Sequence, residues 1–124
     1  MRTIVFQRRI QEFIDSCNSC INYCESCVQI CQLETDIINH AKCIELNLYC
    51  AEMCKNALIF MQSSSSHNVS FLSKYCMLCA EICEACATEN DKKLQIKHCM
   101  ECAIVCRKCA EECLRLKSTE LLIH

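Results

Sequence analysis

Seventeen cysteines in 124 residues are the groups here that could do chemistry, and their spacing narrows which chemistry. Cys99, Cys102, Cys106, Cys109 and Cys113 are separated by steps of 3, 4, 3 and 4. Cys17, Cys20, Cys24, Cys27 and Cys31 repeat those steps, and Cys76, Cys79, Cys83 and Cys86 give 3, 4 and 3. Cys43, Cys50 and Cys54 form a sparser version with steps of 7 and 4, and no cysteine falls outside the four groups. At about 100° per residue, five positions so spaced occupy a wedge of roughly 80° along about 21 Å of helix axis. They are the a and d places of a heptad, where a bundle helix ordinarily carries Leu or Ile. Glu101, Arg107, Lys108, Glu111 and Glu112 are expected opposite the seam of the last helix.

One or two buried cysteines behave as small hydrophobes. A whole seam of them does not, because a thiol is smaller than leucine and the resulting channel would cost on the order of several kcal/mol in lost packing. Metal is the natural occupant. Structural zinc takes four ligands, usually from C-x-x-C knuckles, whereas these C-x-x-C pairs lie within continuous helical ladders. Iron–sulfur motifs sit in loops that wrap a cluster, and a thioredoxin-like C-x-x-C needs a βαβ setting absent from this pattern. Cu(I) suits the ladder: it is soft, prefers thiolate and accepts few sulfurs. Cysteines at i and i+4 stand one above the other, about 6 Å apart. Such pairs are Cys20/Cys24, Cys27/Cys31, Cys50/Cys54, Cys79/Cys83, Cys102/Cys106 and Cys109/Cys113. Each Cu⁺ that replaces a thiol proton leaves the buried site neutral. If each sulfur bridges two ions and each ion takes two sulfurs, capacity approaches about 15 Cu(I) per chain.

Two other readings stay open on the residues. One is a general thiolate sponge for Zn(II) or Cd(II). The other is a thiol redox buffer, although stacked cysteines on one helix are poorly placed for disulfides with one another. An activated cysteine would also need a cation beside it. Only Cys54–Lys55 and Cys106–Arg107–Lys108 offer one, and those cations face away from the seam.

The elements that position the ladders are helical. There is no Gly or Pro, helix formers dominate, and apolar spacing is helical throughout. The spacing predicts an all-α, antiparallel up-down-up-down four-helix bundle made of one domain over residues 1–124. Helices are expected over about 3–33, 36–61, 69–88 and 91–116, with a Ser-rich connector at 62–68. Thr35 or Asp36 is expected to cap the second helix, Asn68 or Ser70 the third, and Asn90 or Asp91 the fourth. The net charge of −2 is dispersed, so neither nucleic acid nor a membrane surface is an expected partner. The charged first twenty residues are neither a signal peptide nor a membrane span. Many free thiols, odd in number, suit a reducing cytoplasm.

The chain resembles the four-helix-bundle copper storage proteins, in particular their cytosolic branch. The resemblance runs from about Phe13 to Leu116 and rests on CNSCINYCESCVQIC, KCIELNLYCAEMC, CMLCAEICEAC and HCMECAIVCRKCAEEC. It implies a homotetramer of bundles, each holding many Cu(I) ions along its axis, with no catalytic turnover. A copper chaperone or efflux donor is a further expected partner. Phe13 and Asn90 stand where the family often has cysteine, and the turn KKLQIKH keeps one histidine.

Antiparallel threading is expected to gather Cys31, Cys43, Cys86 and Cys99 at one end, near His40, Asn90 and His98. Phe13, Met61, Leu72 and Leu116 should gather at the other and plug it. Copper is therefore expected to enter at the polar end, with His98 and His40 as candidates for holding or relaying it. His67 and His124 are read as bystanders. Met53, Met77 and Met100 adjoin seam cysteines in sequence and are read as packing, whereas Met61 continues a seam and offers a weak end site. Tyr49, Leu58, Ile59 and Phe60 are excess apolar surface, expected either between protomers or in the seams beside the core.

Overall fold

The computed structural model describes residues 2–63 and 69–123. The described residues form four long α-helices, α1 (Arg2–Gln32), α2 (Ala41–Ser63), α3 (Val69–Asp91) and α4 (Lys97–Ile123), with a 3-10 turn over Ile37–His40. Each packs on its sequence neighbours and α4 closes the ring against α1, while the diagonal pairs stay apart across the core. Cys17 meets Cys109 while Cys27 meets Cys99, so α1 and α4 run in opposite directions. Cys54 meets Cys79 and Cys50 meets Cys83, giving the same antiparallel sense to α2 and α3. This is the expected bundle. No helix among the described residues is long and apolar enough to cross a membrane.

The core is the cysteine seam. All 17 cysteines are buried at 0% exposure, with Ala51, Ala57, Ala80, Ala87, Ala103 and Ala110 filling the small spaces beside them. Alanine there lets the helices approach closely enough for sulfurs to touch across the axis. Phe13, Leu72 and Leu116 close one end of the seam, and Met61 packs half-buried against the core. Phe60 stacks on Tyr75 at 4.6 Å and fills the flank between α2 and α3. Leu58 is likewise half-buried, whereas Tyr49 and Ile59 remain exposed. Surface ion pairs tie neighbouring helices, Lys55 to Glu25 at 2.6 Å and Arg107 to Asp91 at 2.5 Å.

Four details correct the reading of the sequence. The second helix begins at Ala41, not near 36, because Asp36 accepts hydrogen bonds from the side chain and backbone N–H of Asn39. That local turn competes with an α-helical start, and Ile37 and Ile38 are left exposed on it. Third, α3 continues to Asp91 and α4 starts only at Lys97, so the turn sits at 92–96. Asn90 is therefore a fully buried residue of α3 and not the cap of α4. Glu112 is the fourth: its carboxylate is drawn in, 1% exposed, under Arg115 at 2.7 Å and Lys108 at 3.4 Å. Ser70 lies inside α3, while the Asn68 cap and most of the Ser-rich connector, with His67 and His124, fall outside the described residues.

Candidate metal centre

The ladders create the site because a 3, 4 spacing keeps every thiol on the inner face of a helix. Four such faces then confront each other. Cys20 Sγ lies 3.4 Å from Cys50 Sγ, and Cys50 donates to Cys83 at 3.6 Å. Cys20 reaches Cys106 at 3.8 Å, Cys24 reaches the same sulfur at 3.7 Å, and Cys54 touches Cys79 at 3.8 Å and Cys109 at 3.9 Å. Along one helix, Cys20/Cys24 and Cys102/Cys106 are 3.9 Å apart. That is closer than the spacing of stacked side-chain bases suggests, because the sulfurs lean toward each other.

Three groups of four sulfurs have all members within 4.8 Å of one another: Cys17/Cys54/Cys79/Cys109, Cys20/Cys50/Cys54/Cys83 and Cys20/Cys24/Cys50/Cys106. The second group shares Cys54 with the first, and both Cys20 and Cys50 with the third. A shared sulfur suits an ion chain bridged by thiolates better than isolated tetrahedral sites. Cys113 and Cys76 are buried at the deep end of the seam.

Nearer the polar end, Cys31, Cys43 and Cys99 form a group of three, with Cys27 Sγ 3.5 Å from Cys99 Sγ. Cys86 was expected beside them. It lies one layer deeper, 4.0 Å from Cys24, and the fourth corner of the end layer is Asn90. Asn90 Oδ1 accepts the thiols of Cys27 at 3.3 Å and Cys43 at 3.4 Å. Asn47, also fully buried, accepts Cys86 and Cys102, both at 3.3 Å. Asn47 was missed in the sequence. The signal was the 7-residue step from Cys43 to Cys50, whose missing seam position is 47.

Burial raises the cost of a thiolate, while S–H groups donated by neighbours lower it. Cys99 shows the second effect most usefully: bonds from Cys27 and then Cys43 hold it down at about 3. Its neighbour Cys31 is pushed up to about 11 by burial and then by the charge on Cys99. Of these two neighbours, Cys99 is the readier to ionise.

The histidines stand beside this end without joining it. Among the described residues the ligand groups consist of cysteines alone. His98 stacks on Tyr23, with ring centroids 5.2 Å apart, and its Nε2 lies 3.3 Å from the Tyr23 carbonyl oxygen. His40 lines a cleft of about 520 Å³ with Glu34, Asp36, Asn39, Lys92 and Lys93, and its Nδ1 is buried without a hydrogen-bond partner.

Comparison with known proteins agrees with this architecture. The model of the copper storage protein family matches residues 6–118. The uncharacterized cysteine-rich protein YhjQ of Bacillus subtilis is 41% identical over 78 residues. That match spans 62% of this chain and 61% of the relative. The Cu(I)-bound copper storage protein BsCsp3 of Bacillus subtilis is 36% identical and superposes with a TM-score of 0.79, over 88% of this chain and 98% of that one. A cytosolic copper storage protein from Streptomyces lividans, loaded with five coppers, is 25% identical with a TM-score of 0.88, over 92% and 96%. A cysteine-lined bundle, matched along most of its length by this model, places the chain in the copper storage protein family.

Proposed function

We propose that this protein takes up and stores many Cu(I) ions along the axis of its bundle. The ligand set is all the cysteines: Cys17, Cys20, Cys24, Cys27, Cys31, Cys43, Cys50, Cys54, Cys76, Cys79, Cys83, Cys86, Cys99, Cys102, Cys106, Cys109 and Cys113. The observation that carries this reading is the set of buried four-sulfur groups that share members. Copper there is shielded from water, oxygen and competing ligands, so burial itself is the protection, with no turnover required. The polar end serves as the mouth, where Cys99 takes the first ion and His98 and His40 assist its arrival. Withholding free Cu(I) either detoxifies the cytoplasm or keeps a reserve for copper enzymes, with a copper chaperone or efflux donor as supplier. The exposed Tyr49 and Ile59 on α2 support a homotetramer.

A zinc or cadmium sponge is favoured by one feature, since four sulfurs within 4.8 Å also suit a tetrahedral ion. Parallel anaerobic titrations of the reduced protein against strong chelators separate the two. Copper storage predicts tight uptake of about ten or more Cu(I) per chain. Preferential binding of about four Zn(II), with little copper retained, contradicts it.

A further inference from the structure

The seam of α2 reads Cys43, Asn47, Cys50, Cys54, and that of α3, toward the mouth, reads Cys79, Cys83, Cys86, Asn90. Two amides thus stand where sulfurs would continue the column. Asn90 Nδ2 donates to Asn47 Oδ1 at 3.3 Å, and both side chains are at 0% exposure. Backbone carbonyls anchor them: Asn47 Nδ2 donates to the Cys43 oxygen at 2.8 Å and Asn90 Nδ2 to the Cys86 oxygen at 2.9 Å. On the mouth side of this bridge, Cys43 Sγ lies between Asn90 Oδ1 at 3.4 Å and Asn47 Nδ2 at 3.3 Å. On the deep side, Cys86 Sγ is held in the same way, 3.3 Å from Asn47 Oδ1 and 3.4 Å from Asn90 Nδ2.

Along α1 and α4 the sulfurs run on. Cys31 lies 3.7 Å and Cys27 3.5 Å from Cys99. Cys27 and Cys102 each reach one amide of the bridge, 3.3 Å from Asn90 Oδ1 and 3.3 Å from Asn47 Oδ1, and those amides are bonded to each other at 3.3 Å. Cys102 in turn is 3.9 Å from both Cys24 and Cys106, the start of the four-sulfur groups.

We propose that copper crosses between the mouth and the store on the α1–α4 side, through Cys27 and Cys102, because the Asn47–Asn90 bridge closes the α2–α3 side. The inference rests on the copper storage reading. Amide oxygen is a hard donor and a poor partner for Cu(I), so an ion has no next ligand across the bridge. The amides also tolerate metal on the open side. Cys27 and Cys102 each give the pair one thiol hydrogen bond at 3.3 Å. When copper displaces those two protons, Asn90 Oδ1 keeps Cys43 until that thiol too takes copper, and Asn47 Oδ1 keeps Asn90 Nδ2 throughout. In each step Cu⁺ and H⁺ change places: the receiving thiol gives up its proton, the sulfur left behind takes one, and copper stays Cu(I).

The test follows anaerobic Cu(I) loading of the full chain by sulfur-to-copper absorption, with total copper counted at the end. Folding of each apo variant is checked by circular dichroism. Cys27→Ser should lower capacity by about one ion and slow filling of the deep column about tenfold or more. Cys43→Ser, which removes one sulfur from the blocked side, should slow it much less. Adding Asn90→Cys to Cys27→Ser should restore the rate by opening the other side. The side-chain amide protons of Asn47 and Asn90 should stay protected from exchange in the loaded protein. The route is overturned if Cys43→Ser slows loading as much as Cys27→Ser, or if Asn90→Cys fails to restore it. A wild-type chain that holds little copper defeats the storage reading instead, whereas a full load with rates indifferent to Cys27 defeats only the route.

Discussion

The two ends of the bundle are built on the same seam and do opposite things. At one end the positions beyond the cysteines carry Phe13, Leu72 and Leu116, which exclude water by filling the space between helices. At the other, the last layer is Cys31, Cys43, Cys99 and Asn90, beneath a cleft lined by His40 and charged residues. A bulky apolar side chain at a seam position yields a seal. A thiol or amide there leaves groups that need partners, and in a core of this kind the partner that satisfies many thiols at once is a soft cation. Under the storage reading, the direction of traffic is set by which residue type ends each seam, with the helices themselves unchanged.

The largest effect is expected at the seal. Phe13→Ala should cost about 3–5 kcal/mol of apo stability, because a fully buried ring leaves a cavity between four helices. Denaturant unfolding measures it. The copper-loaded variant should also release copper faster to a chelator, through an end that is closed in the wild type. Unchanged stability would mean that the plug is not tightly packed.

At the polar end Asn47→Ala should cost about 1–3 kcal/mol, since it removes the acceptor for Cys86 and Cys102 and the partner of Asn90. Its stability loss should shrink once copper is bound, because metal then satisfies the same sulfurs. The Phe13→Ala loss should persist. Thermal unfolding of apo and loaded variants compares them directly.

His98→Ala should leave the capacity intact and slow the first phase of uptake a few-fold at most, in keeping with a ring stacked on Tyr23 outside the sulfur groups. Rapid-mixing absorption reads that phase. Acidification should weaken copper retention, because each ion bound displaces a thiol proton. The sign is opposite for a chain stabilised by protonation. Release should grow as pH falls and protons compete with copper for the thiolates, and the sulfur-to-copper absorption band reads it. The smallest effect is at the surface: Lys55→Ala breaks an exposed ion pair with Glu25 and should leave the unfolding midpoint and copper uptake nearly unchanged.

Much of this was legible because the 3, 4 spacing of cysteines fixes both helix and face. The bundle, the buried seam and the apolar end all follow from it. What escaped was read by residue type where position mattered. Asn47 occupies a seam place between Cys43 and Cys50, yet an asparagine does not announce itself as core. Asn90 follows Cys86 by four residues and continues the seam of α3, yet as a good capping residue it was read as the start of α4. The start of the second helix erred in the other direction: it was read at about 36, whereas Asp36 and Asn39 hold a local turn and leave Ile37 and Ile38 exposed. Glu112 was assigned to the solvent face by its charge, although Arg115 and Lys108 neutralise it where it is buried.

The most direct test of storage in the thiol column is native mass spectrometry of the fully reduced chain titrated anaerobically with Cu(I). About ten or more coppers per chain, each accompanied by the loss of about one proton, are expected if thiolates along the axis hold the metal. Saturation at no more than about two ions, with most thiols still open to alkylation after unfolding, would contradict it.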